Sequence, residues 1–173
     1  MIEPFKCIAI DPPWMETGGG KIKRGADRHY PLMDIASIIY TIQAAPVWNV
    51  AETAHLWLWV TNNFMPQGLT VMSALGFRYV TNLCWVKDKI GLGQYLRGQH
   101  ELCLFGVRGD TMMPEIRNVP SIIHAARGRH SEKPAEAYAA IERVSPSPRL
   151  ELFARTPRPN WTTWGNEIEE QIA

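Results

Sequence analysis

The chain has 173 residues, 46% of them hydrophobic and 20% charged, with a formal net charge of +1. That length lies within the roughly 100–200 residues of one domain, and no apolar run approaches the ~18 residues a bilayer span needs. These features, with an N-terminus lacking the pattern of a secretory signal, exclude a membrane or exported protein and predict one cytoplasmic domain over residues 1–173.

In chain order, Lys6–Ile10 reads as a short buried strand, followed by a glycine-rich loop over Gly18–Arg28 carrying Lys21, Lys23, Arg24 and Arg28 against Asp27. Asp34 can cap a helix whose Ile35, Ile38, Ile39 and Ile42 share one face, and Pro46 ends it. "HLWLWVT", from His55, is short and almost wholly apolar, as a strand covered on both faces would be. A second helix is predicted from Pro66 to Leu75, closed by Gly76. Two strand-like runs, "FRYVTNLCWVK" and "ELCLFGVRG", flank a polar segment from Asp88 to His100 that reads as a long hairpin loop. Pro134 opens a third helix, "LELFAR" is a last strand, and "PNWTTWGNEIEEQI" reads as a loop and a short terminal helix.

Helices alternating with short buried strands predict an α/β sandwich around a mostly parallel sheet. In such sheets ligands bind beyond the carboxyl ends of the strands, where Asp11 and Arg155 both fall. Cys7, Cys84 and Cys103 lie in apolar runs with no metal-binding spacing, so buried free thiols are expected. Of seven tryptophans, most are expected in the core and two or three against a flat ligand.

The first strand ends in Asp11-Pro12-Pro13-Trp14. Neither proline has an N–H, and Pro13 holds Pro12 extended, so the carbonyls are expected to point outward as acceptors. Asp11 adds a carboxylate and Trp14 a flat face, a combination suited to the exocyclic amino group of a stacked nucleobase. Two acceptors on that amino group would localise its lone pair for direct attack on an electrophilic methyl group. The plainer reading is a turn with a core tryptophan.

"DPPW" at a strand end resembles the catalytic motif of the permuted adenine N(6)-methyltransferases. That family contains the catalytic subunit of the messenger-RNA adenosine methyltransferase complex and bacterial and bacteriophage DNA adenine methyltransferases. "LWLWVTNNFM", "WVK", "HELCLFGVRG", "HSEKPAEAYAAIERVSP", "LELFAR" and "PNWTTWGNE" resemble its further blocks in the same order, from about Phe5 to Glu167. The resemblance implies a compact, permuted, Rossmann-like methyltransferase with helices on both faces, using S-adenosylmethionine.

It further implies that Asp11 and Pro12 hold the target amino group beside Pro13, that Trp14 stacks on or walls the adenine, and that Asp11 also lies near the cofactor. Lys133, Arg155, Asn166 and Glu167 match cofactor-contacting positions, and Tyr30 matches an aromatic on the loop after the motif. Glu167 stands where the family has glutamine, and the turn between Arg155 and Trp161 is shorter than in the messenger-RNA enzyme. Lys133 also reads as a solvated residue ahead of a helix, and Glu167 as one of several surface carboxylates.

Because a paired base is out of reach, the target adenine is expected flipped or unpaired, with Lys21, Lys23, Arg24, Arg28 and Tyr30 contacting the strand. Arg127 with Arg129, and Lys89 with Arg97, are two further basic patches. DNA is the expected substrate, in a bacterial cell or phage-infected host, with a second copy or partner subunit as a source of sequence choice in place of a separate target-recognition domain. The rival readings are a noncatalytic nucleic-acid-binding or partner-supporting member of the family, an RNA adenine methyltransferase, and transfer to the amino group of cytosine. The few residues on either side of the family blocks predict an unusually small sheet.

Overall fold

The computed structural model describes residues 3–15, 32–91, 93, 95–110, 112–114, 116–128 and 132–165. In chain order they form β1 (Phe5–Ile10), α1 (Ile35–Ala44), β2 (Val50–Val60), a 3-10 turn at Asn62–Phe64, and α2 (Met65–Ala74). There follow β3 (Arg78–Lys87), β4 (His100–Arg108), β5 (Ile122–Ala125), α3 (Ala135–Val144), β6 (Arg149–Leu152) and β7 (Thr162–Trp164). The strands make one sheet in the order β5-β3-β4-β2-β1-β6-β7. Pairing is parallel except where β4 runs antiparallel to β2 and β3.

The three α-helices of the described residues form where the sequence placed them, and the terminal helix expected after Gly165 lies outside the described residues. Asp34 caps α1, its Oδ1 accepting the Ser37 N–H at 2.7 Å. Gly76 takes a φ of 82° after α2, a left-handed value that glycine adopts at no steric cost. Alternation along β1 divides the core: Ile8 and Ile10 join Ile38, Ile42, Val71 and Met72 beneath α1 and α2. Cys7 and Ala9 face the other way, against Ala137, Tyr138 and Ile141 of α3. Helices therefore cover both faces of the sheet, and each fully buried aliphatic side chain contributes about 1.5–3 kcal/mol.

Two expectations change. The sheet is not small, because β5 and β7 add strands to the five legible in the sequence. Thr162–Trp164, read as loop, is β7, paired to Leu150–Leu152. All seven tryptophans pack in or against the two core clusters, Trp48 and Trp164 being only partly buried. Among the cysteines, Cys7 and Cys103 are buried and Cys84 half-buried, all as free thiols, and burial pushes the Cys7 thiol up to about 12.

Candidate active site

Topology gathers the charged residues at one edge of the sheet. β1, β2, β6 and β7 run in one direction, so their carboxyl ends share an edge, with Ile10 paired to both Leu58 and Leu152. Because β4 is antiparallel, its start lies at that edge, and so does the end of β3, where Trp85 pairs with Glu101. The residues before α3 arrive there as well, bringing Lys133.

Lys133 Nζ donates to Asp11 Oδ2 at 2.6 Å, although 122 residues separate the two. It also lies 3.6 Å from Glu101 Oε2, and Lys87 Nζ meets Glu101 Oε1 at 2.5 Å. Lys133 sits 5.3 Å from the ring centroid of Trp59 and Lys87 4.8 Å from that of Trp85, both within cation–π range. The Lys133 side chain is 7% exposed and that of Asp11 25%. The two carboxylates and the Trp59 ring offset the cost of burying the Lys133 ammonium.

Burial lowers the proton affinity of the Lys133 ammonium, but Asp11 and Glu101 outweigh it, and its pKa ends above the ordinary lysine value. For Glu101 burial raises the pKa, and Lys133 and Lys87 together bring it below the ordinary value. Asp11 is the exception: burial dominates and raises its pKa, against Lys133 and Arg155. Asp11 is therefore a stronger proton acceptor than an ordinary carboxylate.

The proline carbonyls are not both open, as the sequence had suggested. Pro12 O accepts the N–H of Trp14 at 2.9 Å in a three-residue turn, and Pro13 O accepts the N–H of Met33 at 3.0 Å. A carbonyl has two lone pairs, so Pro12 O can accept a second donor. Trp14 is 6% exposed, its Nε1–H donates to Trp59 O at 3.0 Å, and its ring stacks on Phe64 with centroids 5.6 Å apart. Such a ring can wall a pocket, but it is not an open stacking platform.

The structure thus brings Asp11, Pro12, Trp14 and Lys133 together, with Arg155 close enough for its charge to act on Asp11 and Lys133. Arg127 and the pair Lys89 and Arg97 border the same edge, and the Arg127 N–H donates to Asp88 Oδ1 at 3.0 Å. Lys21, Lys23, Arg24, Arg28, Tyr30, Arg129, Asn166 and Glu167 lie outside the described residues.

Glu101 and Lys87 were not singled out in the sequence. The hairpin was legible, but its register, which places Trp85 opposite Glu101, was not.

The MT-A70 family profile matches residues 5–167. The chain belongs to the MT-A70 family. MT-A70 methyltransferases use S-adenosylmethionine as the methyl donor. The human N(6)-adenosine-methyltransferase catalytic subunit METTL3 is 31% identical over 95% of this chain and 28% of its own length. The Arabidopsis thaliana N(6)-adenosine-methyltransferase MT-A70-like protein is 31% identical over 95% of this chain and 24% of its own. The Type II methyltransferase M.MunI of Mycoplasma sp is 28% identical over 96% of this chain and 78% of its own. The chain thus spans about a quarter of the curated adenosine-methyltransferases and most of M.MunI.

The donor set suits the cofactor of MT-A70 proteins. An amino-acid group carrying both ammonium and carboxylate needs an anion and a cation side by side, and Asp11, Glu101 and Lys133 supply them at one edge.

Proposed function

We propose that this chain is an S-adenosylmethionine-dependent methyltransferase acting on the exocyclic amino group of adenine in DNA. The observation that carries the reading is the 2.6 Å contact between Lys133 and Asp11, which joins the strand-end motif to the segment before α3. When bound, the cofactor supplies an electrophilic methyl group, and the chain supplies position. With Asp11 Oδ2 engaged by Lys133, Oδ1 accepts one N–H of the target amino group, and the second lone pair of Pro12 O accepts the other. Both bonds draw the nitrogen lone pair out of the ring toward attack. Asp11, made more basic by burial, takes the proton that the methylated nitrogen releases.

Lys133 and Arg155 hold the cofactor's anionic and adenosine portions, Asn166 and Glu167 complete that half, and Trp14 walls the target base. Lys21, Lys23, Arg24, Arg28 and Tyr30 engage the flipped or unpaired strand. Alignment over 78% of M.MunI supports the DNA reading, whereas the N(6)-adenosine-methyltransferases among the relatives favour RNA as the second reading. Sequence choice comes from the loops, a second copy or a partner subunit.

Incubation with labelled S-adenosylmethionine and matched DNA and RNA oligonucleotides tests this. We expect label on DNA; label on RNA alone selects the second reading, and label on neither while DNA is still bound leaves a noncatalytic binding protein.

A further inference from the structure

The turn between β6 and β7 is held more tightly than a surface connection requires. Phe153 and Asn160 bracket it at φ values of 59° and 64°; asparagine tolerates this left-handed region, but at a bulky residue such as Phe153 it persists only where the surroundings over-determine the backbone. The N–H of Ala154 donates to Trp164 O at 3.0 Å, and a Cβ on Gly165 would come within 2.2 Å of Ala154 O.

A cluster of side chains closes the same turn. Arg158 Nε donates to Glu151 Oε2 at 3.2 Å, and its guanidinium carbon lies 3.3 Å from the centroid of the Tyr138 ring. The Tyr138 hydroxyl donates to Glu151 Oε1, and Trp161 stands edge-on to Tyr138 at 5.7 Å. Glu151 is only 8% exposed. A buried carboxylate is costly without partners, so its place on β6 depends on Tyr138 and Arg158. The planar guanidinium lies close over the ring at 3.3 Å while its N–H edge donates to the carboxylate; a lysine ammonium, a point charge on a flexible stem, offers no flat face to stack in this way.

The turn so closed carries Arg155, whose charge acts on Asp11 and Lys133. We propose that Arg158 is a positioning residue: by clasping Glu151 and Tyr138 it fixes the turn and holds Arg155 for the adenosine portion of the cofactor. The inference rests on the proposed function, and Arg158 touches no reacting atom.

S-adenosylmethionine binding by calorimetry, with kcat and KM for cofactor and oligonucleotide, tests it on Arg158→Ala, Arg158→Lys, Tyr138→Phe and Arg155→Ala. Both Arg158 variants weaken cofactor binding about tenfold, while kcat at saturating cofactor and KM for the oligonucleotide stay within about twofold of wild type. Tyr138→Phe, which keeps the stacked ring, loses less. In the Arg155→Ala background Arg158→Ala adds nothing, because the two act as one unit.

A purely structural role would lower the melting temperature of Arg158→Lys and leave its cofactor affinity unchanged well below melting, which overturns the proposal. So do losses that multiply in the double variant, or a fall in kcat. Should Arg158→Ala not fold, Arg158→Lys and Tyr138→Phe decide. Absence of cofactor binding by the wild-type chain overturns the proposed function and the clasp with it.

Discussion

The two ends of α3 are built from opposite materials. At its start, Lys133 stands between Asp11 and Glu101 in a chain of full charges. At its end, the Ser145 hydroxyl stands between His55 and Trp57 in a neutral side-chain network, with the Arg149 guanidinium touching only the backbone, at Ser145 O and Glu142 O: Trp57 Nε1 donates to Ser145 Oγ at 2.9 Å, and His55 Nδ1 lies 2.9 Å from the same atom. His55 Nε2 is 3.2 Å from Met112 O, which makes it the N–H donor and leaves Nδ1 to accept the serine hydroxyl proton. Both ends bury polar groups and pair most of them, Trp59 Nε1 at the first and Arg149 Nε at the second being buried without a hydrogen-bond partner. Neutral hydrogen bonds do this without the desolvation cost of ions, so stability alone gives no reason for charges at the first end. The reason lies in what that edge has to bind.

Substitutions at the two ends separate the roles. Lys133→Met takes the shared cation from two part-buried carboxylates, leaving Glu101 with Lys87 alone, a loss of about 3 kcal/mol. Thermal melting should show it as a fall of roughly 6–12 °C for a chain of this size, together with loss of cofactor binding. Ser145→Ala orphans the Trp57 N–H and one His55 nitrogen and should cost about 1–3 kcal/mol, with kcat and KM at 20 °C unchanged. An activity loss in Ser145→Ala beyond its loss of folded protein would break the division.

Acid sharpens the contrast, because the ends respond in different windows. Burial lowers the pKa of His55 from its ordinary 6.5, so the folded state resists a proton that the unfolded chain accepts. Stability therefore falls as pH drops below 6.5, by at most about 1.4 kcal/mol per pH unit. Melting curves at pH 7.5 and 5.5 should show this slope, and His55→Gln should flatten it.

Glu101, held below its ordinary 4.5, contributes stability that is present above that value and lost as pH falls through the lowered one. Asp11, raised by burial, opposes this in the same acid range. The informative quantity is thus the difference between wild type and Glu101→Gln, a few tenths to about 1 kcal/mol at neutral pH that disappears in acid.

The sequence displayed the strands and helices that periodicity can show. α1 and α3 had apolar faces, α2 was bracketed by Pro66 and Gly76, and the second half of β2, Leu56 to Val60, was an unbroken apolar run. β5 and β7 escaped because four and three residues are too few to establish a period, and pairing with β3 and β6 decides them.

At the site, Asp11 and Lys133 were legible through their motifs, and their contact was not, since they stand 122 positions apart. Trp14 was visible as an aromatic, but only packing against Phe64 and Trp59 determines which way it faces. Glu101, Glu151 and Arg158 were ordinary charges until β4 and β6 brought them to their partners.

The most direct test is to digest DNA and RNA oligonucleotides after incubation with S-adenosylmethionine and the wild-type or Asp11→Ala protein, and identify the modified nucleoside by mass spectrometry. We expect N(6)-methyladenine with the wild type and at least about a thousandfold less with Asp11→Ala, while the variant remains folded. N(6)-methyladenine formed at wild-type rate by Asp11→Ala, or methylcytosine in its place, would contradict this expectation.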